Sequence, residues 1–154
     1  MAIRKIRTNP DPVLREKAKT INKISAPIIR LLDDMAETMY AANGVGLAAP
    51  QIGIGKRLVV IDVQNGNGLL KLINPVITQK NGAEVAIEGC LSFPGIAGEV
   101  ERAEEVTVKA LDPEGKELEI KATGLLARAL QHEIDHLDGV LFVDRVIRFL
   151  EKEE

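Results

Sequence analysis

The sequence predicts an α+β fold of largely antiparallel sheets packed around a central helix, with an N-terminal helix and a C-terminal helix besides. Two observations carry that prediction. Five segments rich in Val and Ile, 58–63, 70–77, 83–90, 106–111 and 118–122, follow one another with no helical pattern between them, so successive strands must turn back on each other. Helical periodicity is confined to what precedes and follows them.

Taken in order, Ser25 is placed to cap the first helix with Pro27 in its first turn. Ile28, Leu32, Met35 and Met39 recur along it at helical spacing, and Gly44 is placed to stop it. Gly44-Val45-Gly46-Leu47-Ala48-Ala49-Pro50-Gln51-Ile52-Gly53 is too rich in Gly for a regular element and too apolar for a solvated loop. A packed loop is predicted there. Within the strand region, Asp112-Pro113-Glu114-Gly115 reads as a hairpin turn. Helices resume at 125–137, the central one, and at 144–152.

With 154 residues, 45% of them apolar, the chain has the size and composition of one domain spanning 1–154. The lone Cys90 cannot form an internal disulfide, and no secretory or membrane-spanning pattern appears, which points to a reducing compartment, the cytoplasm. The net charge of −3 comes from 20 basic and 23 acidic residues, well mixed along the chain, and there are three Phe, one Tyr and no Trp. That pattern argues against nucleic-acid recognition, which calls for a basic stripe and stacking aromatics.

Both histidines fall in Gln131-His132-Glu133-Ile134-Asp135-His136. Helical spacing puts Leu125, Ala129, His132 and His136 on one stripe and Leu126, Leu130, Glu133 and Leu137 on the next, leaving Arg128, Gln131, Asp135 and Asp138 for the wet side. His132, Glu133 and His136 therefore continue a core-facing surface, where a carboxylate and two imidazoles without partners carry a heavy desolvation cost. A divalent metal would satisfy them, with the imidazoles as ligands and the Glu accepting a proton from water. Hydrogen bonds to other core groups are the competing explanation.

Two imidazoles need a third ligand. In the extended metalloprotease pattern Gly139 fits, but the last position is Phe142, which cannot coordinate. A carboxylate from Glu151, Glu153 or Glu154 is a second source, and a closed structural site would need a fourth protein ligand for which no further His or Cys exists. Cys90, in Glu88-Gly89-Cys90-Leu91-Ser92 at the end of a predicted strand, is the remaining candidate.

Three motifs, Gly44-Val45-Gly46-Leu47-Ala48-Ala49-Pro50-Gln51, Glu88-Gly89-Cys90-Leu91-Ser92 and His132-Glu133-Ile134-Asp135-His136, occur in the order and with the residues of the peptide deformylases. Nearly the whole chain resembles that family, in its shorter bacterial type with a helical C-terminus. The resemblance implies a metal-dependent hydrolase that removes the N-formyl group from the formyl-methionine of new polypeptides. It implies Cys90, His132 and His136 as ligands of one divalent ion, Fe²⁺ first, with Zn²⁺, Ni²⁺ or Co²⁺ able to substitute. It further implies Glu133 as general base and acid toward a metal-bound water, and the Gln51 amide and Leu91 backbone N–H as donors to the oxyanion. Val45, Gly46 and Gly89 become candidates for backbone contacts to an extended substrate, and Arg102 for a further substrate contact. A surface ion pair is the competing explanation for Arg102, and a hydrogen bond supporting a ligand is one for Asp135. Implied partners are formyl-methionyl nascent chains and, transiently, the ribosome, with no nucleic acid read by the chain itself and no membrane.

Overall fold

A computed structural model describes residues 2–66 and 68–150. After a short 3-10 turn, Pro12–Arg15, the elements are α1 (Ala26–Ala41), β1 (Gly46–Ala48), β2 (Leu58–Ile61), β3 (Leu70–Asn81), β4 (Glu84–Cys90), β5 (Phe93–Arg102), β6 (Glu105–Leu111), β7 (Glu117–Thr123), α2 (Gly124–Leu137) and β8 (Val146–Phe149). The strands form a five-stranded sheet in the order β1-β2-β3-β6-β7 and a three-stranded sheet in the order β4-β5-β8, with every strand pair antiparallel. The α+β class and the antiparallel pairing agree with the sequence. No described helix is long and apolar enough to cross a membrane.

Strand β2 explains how the two helices are held. All four of its residues are buried, because its alternate side chains face different helices. Leu58 and Val60 pack with Ile28, Leu32, Met35 and Met39 of α1, whereas Val59 and Ile61 pack with Leu126, Ala127, Leu130 and Ile134 of α2. A third cluster, built from Leu14, Phe93, Val100, Leu141 and Phe142, lies against the smaller sheet.

The structure corrects four sequence expectations. The segment read as a packed loop is buried as expected, yet it contains β1, paired with β2, and a 3-10 turn, Ala49–Ile52. Strand β5 was not expected, because Pro94, Gly95 and Gly98 break up its pattern. Pro94 and Gly95 have no partner on β4, where Cys90 pairs with Phe93 and Gly89 with Ala97, so the proline removes no ladder bond there. The segment read as a helix from Asp144 is instead a 3-10 turn, Phe142–Asp144, followed by strand β8, so α2 is the last helix of the described chain. A Cβ at Gly98 would lie 2.7 Å from Val146 Cγ1, so glycine is what lets β8 close onto β5 and pair its open edge. Residues 151–154, which include the tail carboxylates considered as ligands, lie outside the described residues.

The fourth correction concerns the wet side of α2. Arg128 and Gln131 are buried, and Leu125, placed on the core stripe, is 54% exposed. Helix α2 carries groups on that side that the rest of the molecule satisfies: Arg128 donates to Glu88 and to the Val100 and Glu84 carbonyls, and Gln131 bonds the backbone of Ala103 in both directions. Asp138 is exposed as expected.

Past the helix end, Gly139 has φ +73°, and a Cβ there would collide with the Arg15 carbonyl. Gly139→Ala is therefore expected to lower stability by about 1–3 kcal/mol, read as a lower urea midpoint. An unchanged midpoint would mean that the loop yields at no cost.

Candidate metal centre

The cleft beside α2 has a volume of about 650 Å³, and Val45, Gly46, Gln51, Gly89, Cys90, Leu91, His132 and Glu133 all line it. Successive turns of α2 place the two imidazoles on one face, with ring centroids 5.1 Å apart. Cys90 enters from the end of β4, and its Sγ lies 3.4 Å from His136 Nε2. One ligand atom from each of Cys90, His132 and His136 falls within 4.8 Å of the others. His132 Nδ1 is 2.9 Å from Glu88 Oε1, which leaves its Nε2 for the cluster. One half-buried sulfur and two buried imidazole nitrogens converge, a set that suits a borderline divalent ion such as iron or zinc. Among the described residues the cluster has three donors, whereas a closed structural site needs four. Phe142, whose position excluded the extended protease pattern, is buried and stacks on the His132 ring at 6.1 Å between centroids.

Beside the cluster, Glu133 is buried and its Oε1 has no hydrogen-bond partner. Gly46 of β1 packs directly on it, since a Cβ there would come within 2.6 Å of Glu133 Oε2. Gln51 is fixed from both ends of its amide. The Ala48 N–H donates to its Oε1 at 3.0 Å, and its Nε2 donates to Ser92 Oγ at 3.2 Å and toward Cys90 Sγ at 3.6 Å. Its donor end thus faces the cluster.

Residues 3–152 match the family model described as polypeptide deformylase. The chain belongs to the peptide deformylase family. A peptide deformylase of Caldanaerobacter subterraneus is 62% identical over the full chain and 96% of the relative, and one of Caldicellulosiruptor bescii is 58% identical over the full chain and 92% of the relative. The crystal structure of the Thermotoga maritima peptide deformylase superposes with a TM-score of 0.91 at 46% identity, covering 95% of this chain and 99% of that one. A second, from Synechococcus elongatus in complex with actinonin, gives 0.89 at 48% identity, covering 92% and 78%. Peptide deformylases are metal-dependent enzymes that hydrolyse the formamide of N-formyl-methionine peptides, and this chain is a hydrolase of that kind.

Behind the cluster of Cys90, His132 and His136 lies a buried ionic hub that the sequence reading missed. Glu88 takes two bonds from Arg102, at 2.6 and 3.0 Å, and one from Arg128 at 2.6 Å, while facing His132. Burial alone would raise the Glu88 pKa, but His132 and Arg102 outweigh it and hold the group down to about 2. Arg102 was expected at the substrate. The structure instead buries it outside the cleft lining, with its guanidinium committed to Glu88 and Asp135. Asp135 is half-buried and accepts from both Arg102 and Arg145. The signal that could have found Glu88 is strand periodicity, because Glu88 and Cys90 are two apart on β4 and share a face.

The titrating groups divide in a way that suits a cation. Burial would lower the His132 pKa, but Glu133, Cys90 and Glu88 raise it to about 10, so the field at the cluster favours positive charge. His136 is pushed well below its ordinary value by burial, then by the positive charge of His132 and Arg102, and is held as the neutral imidazole that coordination needs. Glu133 is raised to about 7, chiefly by burial.

Proposed function

We propose that this chain, acting as one domain, removes the formyl group from the N-terminal formyl-methionine of nascent polypeptides with a single divalent ion held by Cys90, His132 and His136. The observation that carries this reading is the buried, partnerless Oε1 of Glu133 beside three convergent ligand atoms at the floor of an open cleft. A buried carboxylate oxygen without a partner carries a desolvation cost, and groups of that kind concentrate at sites that move protons.

The bound ion supplies Lewis acidity, which acidifies water and polarises a formyl carbonyl. Glu133 Oε1 takes the proton from the attacking water and returns it to the leaving amine. Gln51 Nε2, already aimed at the cluster, and the Leu91 backbone N–H stabilise the oxyanion. Val45 and Gly46 on one wall and Gly89 on the other offer backbone groups to an extended peptide. Ile87, Ile96 and Leu125 are exposed and line the cleft, an apolar wall suited to a methionine side chain. Arg102 and Asp135 support the ligands from behind and make no substrate contact. Iron(II) is the working ion in this reading, zinc, nickel and cobalt are substitutes, and the setting is the cytoplasm with brief contact at the ribosome.

The test pairs metal analysis of anaerobically purified protein with a formate-release assay on a short formyl-methionyl peptide. A single divalent ion per chain, mostly iron, and rapid formate release are expected. Full metal occupancy without formate release would overturn the reading.

A further inference from the structure

We propose that Asp135, backed by Arg145, is a positioning residue for His132 that acts through Arg102 and Glu88, so that the C-terminal segment is tied to the metal centre. The inference rests on the reading of Cys90, His132 and His136 as ligands. The contacts are continuous. Arg145 Nε and Nη2 donate to the Asp135 carboxylate at 2.6 and 3.1 Å, and Arg102 Nη1 donates to Asp135 Oδ2 at 2.9 Å. Arg102 Nε and Nη2 grip both oxygens of Glu88, and Glu88 Oε1 meets His132 Nδ1.

A guanidinium is a rigid planar fork, and all three nitrogens of Arg102 are engaged, so its plane is set jointly by Glu88 and Asp135. The Arg102 and Glu88 side chains are 3% and 6% exposed, so water replaces a lost partner less readily than it would at the surface. Removing the Asp135 charge frees Arg102 to turn, Glu88 to follow it, and the His132 ring to tilt. The outer end is different: the Arg145 side chain is 43% exposed. Asp135 and Arg145 line a separate cavity of about 290 Å³ and not the substrate cleft, so substitutions there remove no side chain from the cleft wall.

The experiment follows transfer of zinc from the zinc-loaded full chain to excess chromogenic chelator, with Tm measured in parallel. Asp135→Asn and Arg145→Met are expected to release zinc about tenfold faster than wild type, the scale seen when the partner of a metal-bound histidine is lost. Arg15→Met is the control. It breaks the pair with Asp144 in the same C-terminal segment without touching the chain of contacts, and it is expected to lower Tm while leaving zinc release unchanged. Wild-type release from both Asp135→Asn and Arg145→Met would overturn the proposal. So would equal acceleration by Arg15→Met, which would assign the effect to general loosening. Zinc held normally by Cys90→Ala would instead overturn the ligand reading beneath it.

Discussion

Glu133→Gln is expected to keep its metal, its fold and its cleft, and to lose about 10²–10⁴-fold in kcat, the usual worth of a positioned proton acceptor. The amide fills the same space against Gly46 and takes no proton from water. The pH profile supplies a second readout. Because burial raises the Glu133 pKa to about 7, the base is lost as pH falls through that value, and the wild-type rate should decline on the acid side. A cation at the cluster favours the carboxylate, so the limb moves to lower pH when the ion is bound, and it should vanish in the variant. Rapid turnover by metal-loaded Glu133→Gln would remove Glu133 from the role.

Glu88→Ala is expected to cost about 3–5 kcal/mol of stability, the range for removing one member of a buried ion pair, because it leaves the Arg102 and Arg128 charges without their shared acceptor. Glu88→Gln tests the charge with the shape nearly kept. In the folded chain the Glu88 pKa is depressed from 4.5 to about 2, so its contribution is present above pH 4.5 and is lost as pH falls from there through about 2. Urea unfolding of wild type should weaken across that window, and the slope there should be shallower for Glu88→Gln. A loss under about 1 kcal/mol for Glu88→Ala, the scale of an exposed pair, would mean that the hub contributes little to folding.

How far the sequence could be read depended on whether the signal was local. Helical spacing fixes the relation of His132, Glu133 and His136 without knowledge of the rest of the fold, and the scarcity of thiols singled out Cys90. The ionic hub depends on which surface packs against which. Arg128 lies one turn before His132, a spacing that pointed inward, yet a charged side chain on a helix is assigned to solvent until its acceptors on another strand are known. Strand β5 was hidden because Gly98 is used for close approach of β8, and β8 was hidden because its pairing is supplied by an edge distant in sequence. Arg102 was misplaced for the same reason, its partners being 14 and 33 residues away.

Strands β1 and β4 are each an outer strand of their own sheet, and Gly46 of one and Gly89 of the other both border the cleft. Open edges usually invite unwanted pairing and are guarded against it. Here a chain laid between them would meet main-chain donors and acceptors on two sides, and main-chain groups are the same in every polypeptide. Recognition of that kind is blind to side chains beyond the first, which is what an enzyme must be if one copy of it is to serve every protein a cell begins.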